Sequence, residues 1–229
     1  MLGLKKFLFM GGSSPALPAD LQTALDAWRA LPAPDLGEVH FHTRYVVIDI
    51  TCSGTNPEQD QLLSIAASCV RQGMITPEDS LFIDFSAPED EASTKETTAD
   101  PAVDRKLLAF LHFIAKAPVV TYNVAFVSKF LQHACKTRLG IDFQPNWIDL
   151  AWMLPSLFKD KHSGIMPLDQ WLQALGLPLG GTRRSLMDNT VLIARIFQML
   201  LVRAKAQEIN TAAKLIDESH ASMALRRHN

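Results

Sequence analysis

The chain has 229 residues, which is long enough for one domain with a full hydrophobic core. Its 22 Lys and Arg residues and 24 Asp and Glu residues give a net charge of −2, and 48% of the residues are hydrophobic, so the composition excludes disordered and collagen-like chains. Three cysteines at unrelated spacings predict neither a disulfide framework nor a zinc site, and they favour a reducing, cytoplasmic location. No stretch approaches the ~18 uncharged apolar residues of a membrane span.

The charge is distributed unevenly along the chain. Residues 86–104 carry one basic and six acidic residues, whereas residues 105–229 carry 16 basic and eight acidic ones. A basic C-terminal half would suit a phosphate backbone, and within it Lys129 and Lys136 share one face of a helix predicted over residues 125–138. An ordinary solvated surface explains the same charges, so both interpretations stay open.

The first 43 residues are predicted to form an extension. It begins with MLGLKKFLFMGG, an amphipathic segment that either packs on the body of the protein or contacts a membrane or a partner. Residues 11–18 are rich in Gly, Ser and Pro and are typical of a linker, and residues 19–31 predict a helix.

Strand patterns follow. An apolar, β-branched run at residues 45–50 ends in a turn-like segment at 52–57. Two further runs, at 62–70 and 81–85, follow after short connections, which predicts an antiparallel meander. The acidic stretch at 86–100 is predicted to be a loop.

After this loop the pattern alternates between helix and strand. Helices are predicted at 103–116, 125–138, 168–175, 187–204 and about 209–225, and short buried strands at 118–121 and 147–150. The sum is an α/β fold with a mixed five-stranded sheet, antiparallel at one edge and parallel at its centre, flanked by helices. The predicted division is an N-terminal extension at 1–43, a main domain at 44–204 and a C-terminal helix at 205–229.

Three polar residues stand at the ends of predicted elements. Asp49 ends a buried strand, where an unpaired carboxylate is costly, Asn123 lies between a strand and a helix, and Asp188 begins a buried helix. Taken singly, each has a local explanation, because Asp49 could cap a turn and the other two are common helix-capping residues.

In order and surroundings, these residues resemble the DEDD superfamily of 3′–5′ exonucleases, in the branch with a catalytic histidine that includes the epsilon proofreading subunit of bacterial DNA polymerase III. The resemblance covers about residues 44–204. It rests on VVIDITCSGTNPEQDQLLSIAAS at 46–68, VVTYNVAFVSKFLQHA at 119–134, and WIDLAWMLPSLF, LDQWLQALGL and TRRSLMDNTVLIARIF within 147–197. It implies a ribonuclease H-like fold and, in the family, phosphodiester hydrolysis by two divalent metal ions.

The family's reactive residues are only partly retained. Two of its four metal-binding carboxylates correspond to Asp49 and Asp188, whereas Thr51 and Val127 stand at the other two positions and Arg183 stands at the histidine. Two carboxylates balance two divalent ions poorly, so the resemblance implies no bound ion, or one weakly held Mg²⁺ or Mn²⁺ on Asp49 and Asp188. An arginine stays protonated and cannot serve as a general base.

Two replacements for the lost groups are considered. Asp49 and Asp188 are expected to approach each other, and two like charges need compensation, so we hypothesise that Arg183 or Arg184 takes the place of the metal. His162, in a predicted loop, is a candidate substitute base, although a loop histidine at the surface is commoner.

Substrate binding is a separate property of the resemblance. Ser53, Gly54 and Thr55 occupy the place where the family's loop meets the 3′ nucleotide, and Asn123 and Phe126 match residues that support that site.

The sequence therefore predicts a degenerate 3′–5′ exonuclease-family protein with little or no hydrolytic activity. It would act as a regulatory module that binds a nucleotide, a nucleic-acid 3′ end, or a protein partner through the N- and C-terminal helices. The alternative is a weak exonuclease that uses Asp49 and Asp188 with a single divalent ion.

Overall fold

The computed structural model describes residues 17–86, 101–178 and 184–226. The predicted N-terminal amphipathic segment, nearly all of the acidic loop and Arg183 lie outside these ranges. The strands are β1 Tyr45–Cys52, β2 Leu62–Arg71, β3 Met74–Asp84, β4 Val119–Thr121 and β5 Trp147–Asp149. The helices are α1 Ala19–Arg29, α2 Pro101–Ile114, α3 Val124–Leu139, α4 Leu150–Leu157, α5 Leu168–Ala174, α6 Leu186–Ala206 and α7 Ala212–Arg226.

The five strands form one mixed sheet in the order β3-β2-β1-β4-β5. β1, β2 and β3 pair antiparallel, whereas β1, β4 and β5 pair parallel. This confirms the predicted α/β, ribonuclease H-like architecture. Because parallel strands end at the same edge of a sheet, the C-terminal ends of β1, β4 and β5 present their polar residues together.

Helices cover both faces of the sheet. Alternate residues of β1 point to opposite faces, so Val46 and Ile48 pack with α1, α2 and α3, whereas Tyr45 and Val47 pack with α4 to α7. Helices α1 and α7 both contribute buried residues to these cores; the predicted division of the chain at 43 and 205 stays a prediction. Among the described helices, none has the length and apolar character needed to cross a membrane.

The structure differs from the prediction at two elements, one strand of different extent and one helix that was not predicted. β3 begins at Met74 and not at residue 81, and it contains Pro77. Proline removes a ladder hydrogen bond, but β3 lies at the edge of the sheet, where that loss is tolerated. Helix α4 was not predicted, because its sequence LAWMLPSL is apolar on every side and shows no helical periodicity.

Asp149 joins four elements at the C-terminal edge of the sheet. Its buried carboxylate accepts hydrogen bonds from the backbone N–H of Val124 on α3, at 3.1 Å, and of Ala151 on α4, at 3.0 Å. Its own N–H donates to Ser219 Oγ on α7 at 2.9 Å. Burial raises the pKa of this carboxyl to about 6, against the opposing effect of the two N–H donors.

We expect Asp149→Ala to lower the free energy of unfolding by about 1–3 kcal/mol, because it leaves the buried N–H of Val124 without an acceptor and leaves the N–H of Ala151 with only the carbonyl of Tyr122, at 3.2 Å. The measurement is urea unfolding followed by circular dichroism. The matched control is Asp142→Ala, since the carboxylate of Asp142 is exposed and accepts from Gln132 Nε2 at 2.9 Å. We expect the control to cost less than about 0.5 kcal/mol, and equal losses would contradict the role assigned to Asp149.

Candidate active site

Asp49 lies near the C-terminal end of β1 and is partly buried. Its Oδ1 accepts a hydrogen bond from the N–H of Ile50 at 2.9 Å. Burial raises the pKa of its carboxyl to about 6, and this one hydrogen bond only partly offsets the effect. By the alternation of β1, its side chain lies on the sheet face that α6 covers.

Thr51 lies two residues further along β1, on the same face as Asp49. It is exposed, and its hydroxyl is hydrogen-bonded to Ser64 Oγ on the paired strand β2. The residue that the predicted resemblance aligns with a carboxylate of the family therefore carries a neutral hydroxyl that already has a protein partner.

Val127 lies on the second turn of α3 and is only 3% exposed. It belongs to the same hydrophobic core as Phe130 and Leu131. The residue that the predicted resemblance aligns with the third carboxylate of the family is therefore a core residue.

Asp188 is exposed in the first turn of α6 and forms a capping box with Ser185. Its Oδ2 accepts from Ser185 N at 3.0 Å and from Ser185 Oγ at 2.8 Å, while Asp188 N donates to Ser185 Oγ at 3.1 Å. These hydrogen bonds lower the pKa of the carboxyl, so Asp188 is ionised at neutral pH. The local explanation of Asp188 as a helix-capping residue thus holds in the structure.

The hypothesis that an arginine compensates Asp49 and Asp188 is wrong for Arg184. Its guanidinium forms an ion pair with Asp169 in the first turn of α5. Arg184 therefore pairs with an acidic residue other than Asp49 or Asp188. Arg183 lies outside the described residues, and its role stays a prediction.

The loop after β1 is held together by its own polar groups. Ser53 Oγ accepts from Gln61 N at 2.9 Å, and Asp60 Oδ2 accepts from Asn56 N at 2.8 Å. The Asp60 carboxylate lies against Gly54, where an added Cβ would be 2.3 Å from Oδ2. Ser53 and Gly54 therefore maintain the loop, Thr55 is exposed, and their contact with a nucleotide stays a prediction.

Asn123 and Phe126 form the start of α3. Asn123 Oδ1 accepts from Phe126 N at 3.2 Å and caps the helix. The ring of Phe126 is half-buried, with its centroid 5.1 Å from that of Phe130. Tyr122, which the sequence analysis missed, precedes Asn123, and its hydroxyl donates to the carbonyl of Met166. Its position directly after a buried strand was the available signal.

Metal-binding capacity is limited in this part of the protein. Within residues 17–86, 101–178 and 184–226, no group of three or more His, Cys, Asp or Glu side chains is arranged to hold a metal ion. His162 is exposed, and its ring meets the indole of Trp171 edge-on at 6.2 Å. Asp49 and Asp188 are the remaining candidates for a single ion.

We expect the raised pKa of Asp49 to make stability depend on pH. Its folded pKa of about 6 exceeds the unfolded value of 3.8, so the folded state binds the proton more tightly. The stability gained from tighter proton binding at Asp49 is complete below about pH 4 and is lost as the pH rises through about 6. This stabilisation amounts to at most about 3 kcal/mol. Asp49→Asn is therefore expected to be more stable than the parent at pH 7.5 and equal to it near pH 4.

The measurement is urea unfolding of both proteins in EDTA at pH 7.5, 6 and 4.5. Burial lowers the pKa of His40, so the stability that neutral His40 contributes is lost as the pH falls, which is the opposite direction. Because His40 is present in both proteins, its contribution cancels in the difference between them. A difference that does not change with pH would contradict the raised pKa.

We expect Val127→Asp to lower the free energy of unfolding by about 3 kcal/mol or more, because it places a carboxylate in the hydrophobic core. Thr51→Glu, which makes the corresponding change at an exposed position, is expected to cost less than about 1 kcal/mol. Thermal unfolding of both variants checks the comparison, and similar midpoints would show that position 127 can turn toward solvent.

No protein-family model matches the chain. It is 27% identical over 160 residues to the PolC-type DNA polymerase III of Thermotoga petrophila, covering 67% of this chain and 11% of that protein. It is 28% identical over 192 residues to the PolC-type DNA polymerase III of Clostridium perfringens, covering 81% of this chain and 13% of that protein. The chain thus spans 11–13% of the length of these relatives.

Two solved structures share the fold. Cell-death related nuclease 4 superposes with a TM-score of 0.54 and 15% identity, covering 72% of this chain and 66% of that chain. The nuclease domain of 3′hExo, a DEDDh family member bound to rAMP, superposes with a TM-score of 0.51 and 18% identity, covering 72% and 94%. Together with the sequence relatives, these structures confirm the predicted resemblance.

Proposed function

We propose that this chain, a relative of the DEDD-superfamily 3′–5′ exonucleases, has lost most or all hydrolytic activity and acts as a regulatory module that binds a nucleotide, a nucleic-acid 3′ end or a protein partner. The observation that carries the proposal is the burial of Val127 in the hydrophobic core, at a position where the family has a metal-binding carboxylate. A core valine supplies neither a ligand nor a charge to a metal ion.

Charge balance supports the same conclusion. Two-metal hydrolysis needs enough anionic ligands to hold two divalent ions close together. Asp49 and Asp188 supply two carboxylates, Thr51 supplies a neutral hydroxyl, and Asp188 already accepts two hydrogen bonds from Ser185. Arg183, at the position of the family's general base, remains protonated at any physiological pH.

The binding part of the proposal rests on what the loss of metal ligands leaves in place. Helix α3 still begins with the cap Asn123 and the half-exposed ring of Phe126. The related nuclease domain of 3′hExo binds rAMP, which makes a nucleotide the first ligand to test.

The cysteines bear on the location of the protein. Cys52, Cys69 and Cys135 are all free thiols, which supports a reducing, cytoplasmic setting.

A weak exonuclease with one ion is the second candidate, and Asp49 favours it. This carboxylate is partly buried, accepts one hydrogen bond and has a raised pKa, so a cation beside it would stabilise its ionised form. A single Mg²⁺ or Mn²⁺ would be held by Asp49 and Asp188, and it would supply Lewis-acid activation of a phosphodiester.

The deciding measurement is release of the 3′ nucleotide from 5′-labelled single-stranded DNA and RNA with Mg²⁺ or Mn²⁺. We expect the parent protein to release no more product than Asp49→Ala, with Asp142→Ala as the matched control at an exposed carboxylate. Release that is lost in Asp49→Ala and kept in Asp142→Ala would establish the one-ion exonuclease and overturn the proposal. A circular dichroism spectrum of each sample verifies folding.

A further inference from the structure

A cavity of about 380 Å³ lies between the loop after β1 and helices α2 and α3. This volume is in the range of small-molecule binding sites. None of the five residues predicted to bind substrate lines it, so it is distinct from the site at Asp49. Phe130 lines the cavity and also contacts Phe126, so the cavity begins about one helical turn beyond the start of α3.

The cavity combines an apolar floor with a polar rim. The floor includes the rings of Phe85 and Phe130 together with Leu107, and the rim includes Asp60, His133 and Thr137. Aromatic rings offer stacking surfaces to a nucleobase, and a carboxylate or imidazole at the rim can hydrogen-bond to its polar edge.

The net charge of helix α3, which forms one wall of the cavity, favours an anionic ligand. Helix α3 contains three basic residues and no acidic residue. Arg138 at the rim is paired with the buried Asp104 at 2.7 Å, and Asp60 is bonded to the N–H of Asn56. Their charges are therefore partly balanced within the protein.

One side of α3, next to the cavity, carries exposed side chains that have no acidic partner among the described residues. Lys129, His133 and Lys136 are exposed and lie at i, i+4 and i+7, which places them along one side of the helix beside the cavity. None of them forms an ion pair with an acidic side chain in the described part of the chain. We call these three residues the α3 basic flank.

We propose that this cavity is a second nucleotide-binding site, which receives a base on the half-buried ring of Phe85 while the α3 basic flank contacts the phosphates. The inference rests on the proposed nucleotide- or nucleic-acid-binding function and names a place for the ligand away from Asp49. The ligand is a nucleotide unit, either free or within a single strand.

The test measures fluorescence anisotropy of 5′-fluorescein-labelled 12-nucleotide DNA and RNA and calorimetric binding of AMP. Thr137→Trp fills the cavity mouth from an exposed helix position and is expected to weaken AMP binding at least tenfold. Lys129→Gln combined with Lys136→Gln is expected to weaken oligonucleotide binding about tenfold and to reduce the slope of log K against log salt by about 1.4, since each phosphate contact in a single strand contributes about 0.7.

The matched control is Lys205→Gln combined with Lys214→Gln, which makes the same charge change on α6 and α7, and we expect its binding to equal that of the parent. Binding of AMP as well as the oligonucleotide supports a free-nucleotide site, whereas binding of the oligonucleotide alone supports a strand site. Circular dichroism and urea unfolding verify that each variant is folded.

Three results would overturn the inference. AMP affinity unchanged by Thr137→Trp, together with an unchanged salt slope in the lysine variant, would exclude the cavity. AMP binding lost in Phe126→Ala and kept in Thr137→Trp would place the nucleotide at the start of α3, so that the proposed function survives and this site does not. Absence of binding to the parent protein would also reject the site, whereas the hydrolysis measurement decides separately whether activity is lost.

Discussion

The carboxylate of Asp149 holds the C-terminal edge of the sheet together. It accepts the N–H groups that begin α3 and α4, and its own N–H reaches Ser219 on α7. Because backbone N–H groups at helix starts have no partner within the helix, a buried acceptor there fixes the direction in which both helices leave the sheet. The positions of Asn123, Phe126 and Val127 all follow from this constraint on α3.

The acidic residues at this edge consequently have different functions. Asp149 stabilises the fold and remains satisfied by backbone donors, whereas Asp49 lies partly buried with a single donor. A carboxylate of the first kind is needed whether or not the protein catalyses a reaction. A carboxylate with few donors, such as that of Asp49, is costly to ionise unless a cation accompanies it. Whether a cation lies beside Asp49 therefore distinguishes an active from an inactive site.

The sheet and the longer helices were predictable because their signals are local. Alternating and β-branched runs identified β1 and β2, and the apolar pattern identified α6. The start of β3 was missed because Pro77 ordinarily interrupts a strand, and α4 was missed because an apolar run has no periodicity to detect. Both errors concern information that lies in the tertiary structure: which strand is at the edge, and which segment is enclosed.

The site was predictable in part for the same reason. Sequence order predicted the capping role of Asp188, which the structure confirms, whereas the role of Asp49 as a site residue stays a prediction. Sequence order could not show that Arg184 pairs with Asp169, because that contact joins the segment before α6 to a separate helix. The burial of Val127 had a local signal that was not used, because Val127 lies three residues from both Val124 and Phe130 on the apolar face of α3.

The proposed loss of metal-binding carboxylates would also change how the protein meets a phosphate group. In a two-metal site the carboxylates repel the phosphodiester, and the ions reverse that repulsion. Replacing two carboxylates with Thr51 and Val127 removes negative charge without requiring any ion, while the α3 basic flank adds positive charge beside the cavity. Under the proposed function, the absence of carboxylates at positions 51 and 127 would reduce repulsion of a phosphate near Asp49, whereas the α3 basic flank would attract a phosphate separately at the cavity.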